Sequence, residues 1–180
     1  MRKVLFILGQ LTDGDVEWIA RTGRRIDAGA NETLIVMGKR IADVVIILDG
    51  QVEVAAGDRV LATLGRGEVL GEMSLIENQP ASASVRTLGP ATLLLVPVAA
   101  IRAKLSADTP FAARFYKAVA LFLADRMRDM IGRQGDNAVR RLEDMDELDD
   151  EVLDVLHLAG QRFLAVLDTA SRANPAGSAV

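Results

Sequence analysis

The spacing of apolar residues divides the chain into three textures. Up to residue 23 the period is helical: Val16, Ile19 and Ala20 share a face, with Trp18 beside them. Thr12-Asp13-Gly14-Asp15 has the form of a capping box, with Thr12 at the N-cap and Asp15 three residues on, and Gly23 closes the helix. Residues 24–97 change period. Short β-branched runs (Thr33 to Met37, Val44 to Leu48, Val52 to Ala55, Val60 to Leu64, Ser82 to Thr87, Thr92 to Val96) alternate with glycines. Asp49-Gly50 and Gly57-Asp58 read as hairpin turns. Such short strands, roughly 8–12 residues apart, predict a sandwich, barrel or jelly roll. No helix-length segment separates them, which disfavours a Rossmann-type parallel sheet.

Helical spacing returns after residue 97. Thr109-Pro110 has the form of an N-cap and first helical residue. Phe111, Phe115, Val119, Phe122, Met127 and Met130/Ile131 then predict one long amphipathic helix ending near Gly132 or Gly135. Glu143 to Asp154 holds eight acidic residues in twelve and reads as a solvated linker or helix start. A last helix is predicted over Val152 to Leu167, with Val152, Leu156, Phe163 and Val166/Leu167 on one face. Residues 171–180 read as a disordered tail. The expected division is a folded domain over 1–133, with its core at 11–133, then an acidic linker plus helix over 134–170, then the tail. The class is α+β.

Composition narrows the chemistry. The 180 residues fit one compact domain with an appendage, and a net charge of −4 argues against a general nucleic-acid binder. The absence of cysteine removes disulfides, thiolate catalysis and cysteine zinc sites. A single histidine, His157, lies outside the strand region, so neither a multi-histidine metal site nor a cupin-type metal enzyme can be assembled. No enzyme, metal or cofactor is expected. The longest nearly apolar run, Ala91 to Ile101, contains Pro97 and falls far short of the ~20 residues that span a bilayer. After Met1-Arg2-Lys3 the apolar stretch Val4 to Leu8 is shorter than the roughly 7–15 residues of a signal-peptide core. The reading is a cytoplasmic protein.

The densest motif runs Leu64-Gly65-Arg66-Gly67-Glu68-Val69-Leu70-Gly71-Glu72-Met73-Ser74-Leu75-Ile76, then Pro80-Ala81-Ser82-Ala83-Ser84-Val85-Arg86. It is not a dinucleotide fingerprint: the third glycine comes one residue late and no βαβ unit surrounds it. Gly71-Glu72 opens a short helical turn between strands. Its first N–H groups can face an anion, the Glu72 carboxylate can accept from a sugar hydroxyl, and Ser74, Ser82 and Ser84 add hydroxyls. The same residues also suit a tight corner in which Glu72 simply caps backbone N–H groups.

An N-terminal helix, a glycine-punctuated strand region, Gly-Glu-x-Ser, a Pro-x-Ser-Ala-Ser-Val strand and a long helix after Asp-x-Pro-Phe together resemble the cyclic nucleotide-binding domain, over roughly residues 11–133. This is the sensor module of catabolite activator protein and of protein kinase A regulatory subunits. The resemblance implies a β-roll, similar to a jelly roll, flanked by an N-terminal helix and C-terminal helices. It aligns Gly38, Gly50, Gly65, Gly67, Gly71 and Glu72 with the family's glycines and glutamate. It assigns Glu72 to a ribose 2′-hydroxyl, Gly71, Met73 and Ser74 to the surroundings of the cyclic phosphate, and Ser82 to a phosphate contact. It implies cAMP or cGMP as ligand. One position departs: Ala81 stands where the family's arginine pairs with the phosphate. A charge-assisted bond contributes roughly 1.5–3 kcal/mol, so its loss weakens binding by about 10- to 150-fold. Arg86 lies about 13 Å along the strand from Ser82 at ~3.3 Å per residue. Arg66 is the remaining surrogate, unless both arginines are ordinary solvated side chains.

Relatives that regulate transcription carry a helix-turn-helix after the long helix. Residues 134–180 are acidic and offer Arg162 as the one strong cation of the predicted last helix, so direct DNA binding and membrane association are not expected. Two functions remain open. One is a stand-alone sensor that binds a cyclic nucleotide weakly and signals through its C-terminal helices to a protein partner or to itself. The other is a nucleotide-free domain serving as a protein-interaction scaffold.

Overall fold

The computed structural model describes residues 9–134, 161–166 and 168–169. The chain runs α1 (Asp13–Thr22), β1 (Arg24–Ala28), β2 (Thr33–Ile35), β3 (Asp43–Asp49), β4 (Gln51–Ala56), β5 (Arg59–Gly65), β6 (Val69–Leu70), α2 (Glu72–Glu77), β7 (Ser84–Thr87), β8 (Ala91–Pro97), α3 (Val98–Ala107) and α4 (Thr109–Gln134). Residues 161–166 are also helical. The predicted linker 143–154, most of the last helix and the tail lie outside the described residues.

Two four-stranded sheets, ordered β1-β8-β3-β6 and β2-β7-β4-β5, pair antiparallel throughout. Their facing sides enclose Ile35, Val45, Ile47, Val52, Val54, Leu64, Leu70, Ala81, Val85 and Leu93. The other face of the first sheet packs Val44, Ile46, Leu48, Leu94 and Val96 against Val16, Ile19, Ile101, Phe111, Phe115 and Val119 of the helices. Strand β3 is therefore covered on both sides, which explains its unbroken run Val44 to Leu48. The second sheet turns its outer face to solvent, and β4 alternates accordingly. This is the expected α+β β-roll.

Several local expectations change. Residues 24–28 form an edge strand, β1, that the sequence pattern did not predict. Gly57-Asp58 closes the β4–β5 hairpin, with Ala56 opposite Arg59. Asp49-Gly50 is not a hairpin: it joins β3 to β4, which belong to different sheets. Gly50 adopts φ +89° at this crossing, and a Cβ there would lie 2.7 Å from the Pro90 carbonyl oxygen. The cap of α4 is Asp108 rather than Thr109. Its Oδ1 accepts from the Phe111 N–H at 2.9 Å and its carbonyl from the Ala112 N–H at 2.9 Å, so one aspartate ends α3 and begins α4. The α4 helix, by contrast, is described through Gly132 to Gln134, next to the expected end at Gly135, because Gly is unfavourable but tolerated inside a helix.

The capping box of α1 forms as predicted, with Thr12 and Asp15 each accepting the other's backbone N–H. Asp15 is also buried against Arg114 of α4, whose Nε and Nη2 donate to the two carboxylate oxygens at 2.8 and 3.1 Å. Lys104 of α3 lies over the rings of Trp18 and Phe111. The helices thus form one packed layer over the first sheet.

Candidate functional site

The motif folds into a corner between the two sheets. Strand β6 pairs with β3, matching Val45 with Leu70, and so delivers Gly71 to the open edge of the roll. Gly71 then takes φ +87° and caps α2, its carbonyl accepting from the Leu75 N–H at 3.0 Å. A side chain at 71 would be strained at this φ, and its Cβ would sit 2.6 Å from Ile41 Cδ1. The six-residue helix ends at Asn78 in the left-handed region. Arg40 holds that end, Nη1 donating to the Asn78 carbonyl and to its Oδ1 at 3.3 and 3.1 Å. Arg102 of α3 donates to the Leu75 carbonyl at 3.3 Å.

The chain then passes beneath the β2–β3 loop. The Ala81 N–H donates to the Lys39 carbonyl at 2.9 Å, and the Ala81 carbonyl accepts from the Gly38 N–H at 2.8 Å. Ser84 Oγ accepts from the Met37 N–H at 3.0 Å. Ladder pairing begins only at Ser84, so the strand predicted from Ser82 starts two residues later.

Gly71, Glu72, Met73, Ala81 and Ser82 come together around one hollow of about 70 Å³, whose apolar walls include Ile35, Ile41, Val54, Leu70 and Val85. Glu72 is buried, at 4% exposure, and also borders the apolar interface between sheet and helices. Ser74 is half-buried and stands outside the lining. Ala81 is buried within the roll, while Met73 and Ser82 are exposed.

Neither candidate arginine reaches this hollow. The Arg66 guanidinium lies over the ring of Phe163, 5.4 Å from its centre. Arg86 projects from the second sheet and bonds Glu53, Nε at 2.9 Å and Nη2 at 2.8 Å. Among the described residues no cation lines the hollow. Among the described residues, no group of three or more potential metal-ligating side chains assembles, and no helix is long and apolar enough to cross a membrane.

The residues the sequence reading missed are Lys39, Arg40 and Arg102, which brace the corner from outside the motif. Nothing local in the sequence marks the two arginines, because Arg40 and Arg102 reach the corner from 38 and 27 residues away.

With this geometry the comparisons are decisive for the fold. Residues 25–108 match the model of the cyclic nucleotide-binding domain. Over that segment the chain is similar to the cyclic nucleotide-binding domain family. A cyclic nucleotide-binding domain from Methylobacillus flagellatus KT is similar at TM-score 0.64 and 21% identity, covering 73% of this chain and 80% of that one. The catabolite activator protein of Thermus thermophilus is similar at TM-score 0.57 and 19% identity, covering 90% and 84%. PKAR CBD2 with Sp-2Cl-cAMPS bound is similar at TM-score 0.53 and 17% identity, covering 67% and 83%. A search of curated proteins finds no significant match. The corner from Val69 to Thr87 thus lies within the family segment, with alanine at position 81.

Proposed function

We propose that the chain is a non-enzymatic regulatory module that takes a cyclic nucleotide, cAMP or cGMP, weakly at the Gly71–Glu72 corner and passes the change on through its C-terminal helices. The convergence of Gly71, Glu72, Met73, Ala81 and Ser82 on one hollow carries this reading. In it the Glu72 carboxylate accepts from the ribose 2′-hydroxyl, and the first N–H groups of α2 and the Ser82 hydroxyl donate to the phosphate. The similar PKAR CBD2, which holds Sp-2Cl-cAMPS, supports the ligand class.

Two features make the binding weak. Among the described residues no guanidinium meets a phosphate at the hollow, which removes a charge-assisted bond. The hollow is also smaller than the ~300 Å³ at the low end of ligand pockets, so the corner must open as ligand enters. Opening has a route outward. The Leu75 carbonyl is tied to Arg102 of α3, and Arg66, in the turn before β6, is stacked on Phe163.

One observation favours a scaffold instead. Both backbone groups of Ala81 are already paired, and Val36, Met37, Met73 and Ile76 are exposed on the same motif and the loop beneath which it passes. Isothermal titration of the full chain with cAMP and cGMP separates the two. A dissociation constant between micromolar and millimolar is the expected result. Silence at millimolar nucleotide removes the sensor and leaves the scaffold.

A further inference from the structure

A second cavity opens across Ile35 and Ile41 from the Gly71–Glu72 hollow, and those two side chains line both spaces. It encloses about 380 Å³, within the ~300–1,000 Å³ range of small-molecule sites. Ile26, Ile35, Val45 and Leu95 give it an apolar floor drawn from both sheets. Alternation along β3 sends Val44 to the helix side and Val45 to the roll interior, so Asp43 shares the interior-facing side and reaches the cavity. Among the described residues Asp43, which is half-buried, makes no side-chain hydrogen bond or ion pair. Lys39, exposed at the rim, makes none either. The two opposite charges face one space, yet no ion pair joins them. Of the other charged lining groups, Arg40 holds Asn78 through Nη1, and Glu32 Oε2 accepts from the Gly29 N–H.

A half-buried carboxylate without a partner raises the free energy of the empty fold. A ligand cation offsets that cost, and a ligand anion placed next to the same cation would satisfy Lys39. The cavity therefore fits a zwitterion with a compact apolar body. We propose that it binds a free α-amino acid with an aliphatic side chain. The α-ammonium sits on Asp43, the α-carboxylate on Lys39 with Arg40 beside it, and the side chain lies against Ile26, Val45 and Leu95. Peptide termini are excluded by the same chemistry, since each carries one of the two charges.

The test is titration of the full chain with leucine, N-acetyl-leucine and leucine amide. Leucine binds, and each blocked analogue binds at least about tenfold more weakly, because each loses one charge-assisted contact. Asp43→Asn lowers leucine affinity by about 10- to 150-fold and abolishes the preference over N-acetyl-leucine, while the unfolding temperature of the ligand-free protein does not fall, since the variant removes an unpartnered charge. Ala42→Trp, at the exposed mouth, blocks leucine without touching either charge. No binding of leucine, isoleucine, valine or methionine at millimolar concentration by the folded protein overturns the proposal. So does equal affinity for leucine and N-acetyl-leucine. Glu72→Gln leaves leucine binding intact, so failure of the nucleotide reading and failure of this one are read separately.

Discussion

The N–H of Ala81 donates to the carbonyl of Lys39 at 2.9 Å, and this bond stitches the last part of the motif to the β2–β3 loop. The pairing holds residue 81 inside the roll with its Cβ toward the hollow, at a position where a longer side chain would enter the space beside Glu72.

Ala81→Arg is accordingly expected to raise affinity for cAMP or cGMP. A restored charge-assisted bond of roughly 1.5–3 kcal/mol corresponds to about a 10- to 150-fold gain. Isothermal titration of the variant beside the parent protein measures it. Unchanged binding would mean that the pocket differs from a nucleotide site in more than its missing cation.

The Asp15–Arg114 pair predicts acid sensitivity. Burial alone would push the Asp15 carboxyl up, but the hydrogen bonds from Arg114 and from the Thr12 N–H outweigh it and hold the group below its ordinary value. The stability it contributes is fully present above about pH 4 and is lost as pH falls through the lowered folded value. Asp15→Asn should cost about 1–3 kcal/mol at neutral pH, and less as the pH falls below 4. Urea denaturation across roughly pH 3 to 7 reads the difference. Asp108 is lowered in the same direction, first by the Phe111 N–H and then by Lys104, so the variant retains some acid dependence.

Gly71→Ala combines a left-handed backbone with a contact to Ile41. The contact is with the far end of a side chain and can relax, whereas the φ of +87° cannot. A stability loss of about 1–3 kcal/mol is expected. Adding Ile41→Val should recover only the smaller part of it, a split that paired denaturation curves of the single and double variants resolve.

Phe163 is buried, carries Arg66 on its ring and sits in the main helix-side cluster with Val166. Phe163→Ala should cost about 3–5 kcal/mol. Faster amide exchange at residues 161–166 should accompany it. Arg66→Gln should lose the stacking alone, a change of about 0.5–2 kcal/mol. Equal exchange rates in parent and Phe163→Ala proteins would show that the segment is held by other contacts.

Much of this protein was written in local pattern. The capping box at Thr12 and Asp15, the double-sided run Val44 to Leu48, the Gly57-Asp58 hairpin and the Gly71-Glu72 corner depend on neighbours in the chain or on a simple period, so they are visible in one dimension. The edge strand at 24–28 was not, because its charged, half-exposed residues are held by pairing with β8 rather than by their own alternation. Asp49-Gly50 misled for a related reason. A glycine turn reports backbone freedom, and only the sheet partners decide whether the chain folds back or crosses to another layer. Position 81 reads as alanine in either case. That no cation among the described residues lines the hollow, that Arg66 is drawn to Phe163, and that Asp43 and Lys39 face one cavity without meeting are facts of three-dimensional packing. Side-chain direction there is set by partners up to a hundred residues away, and composition and spacing carry no record of it.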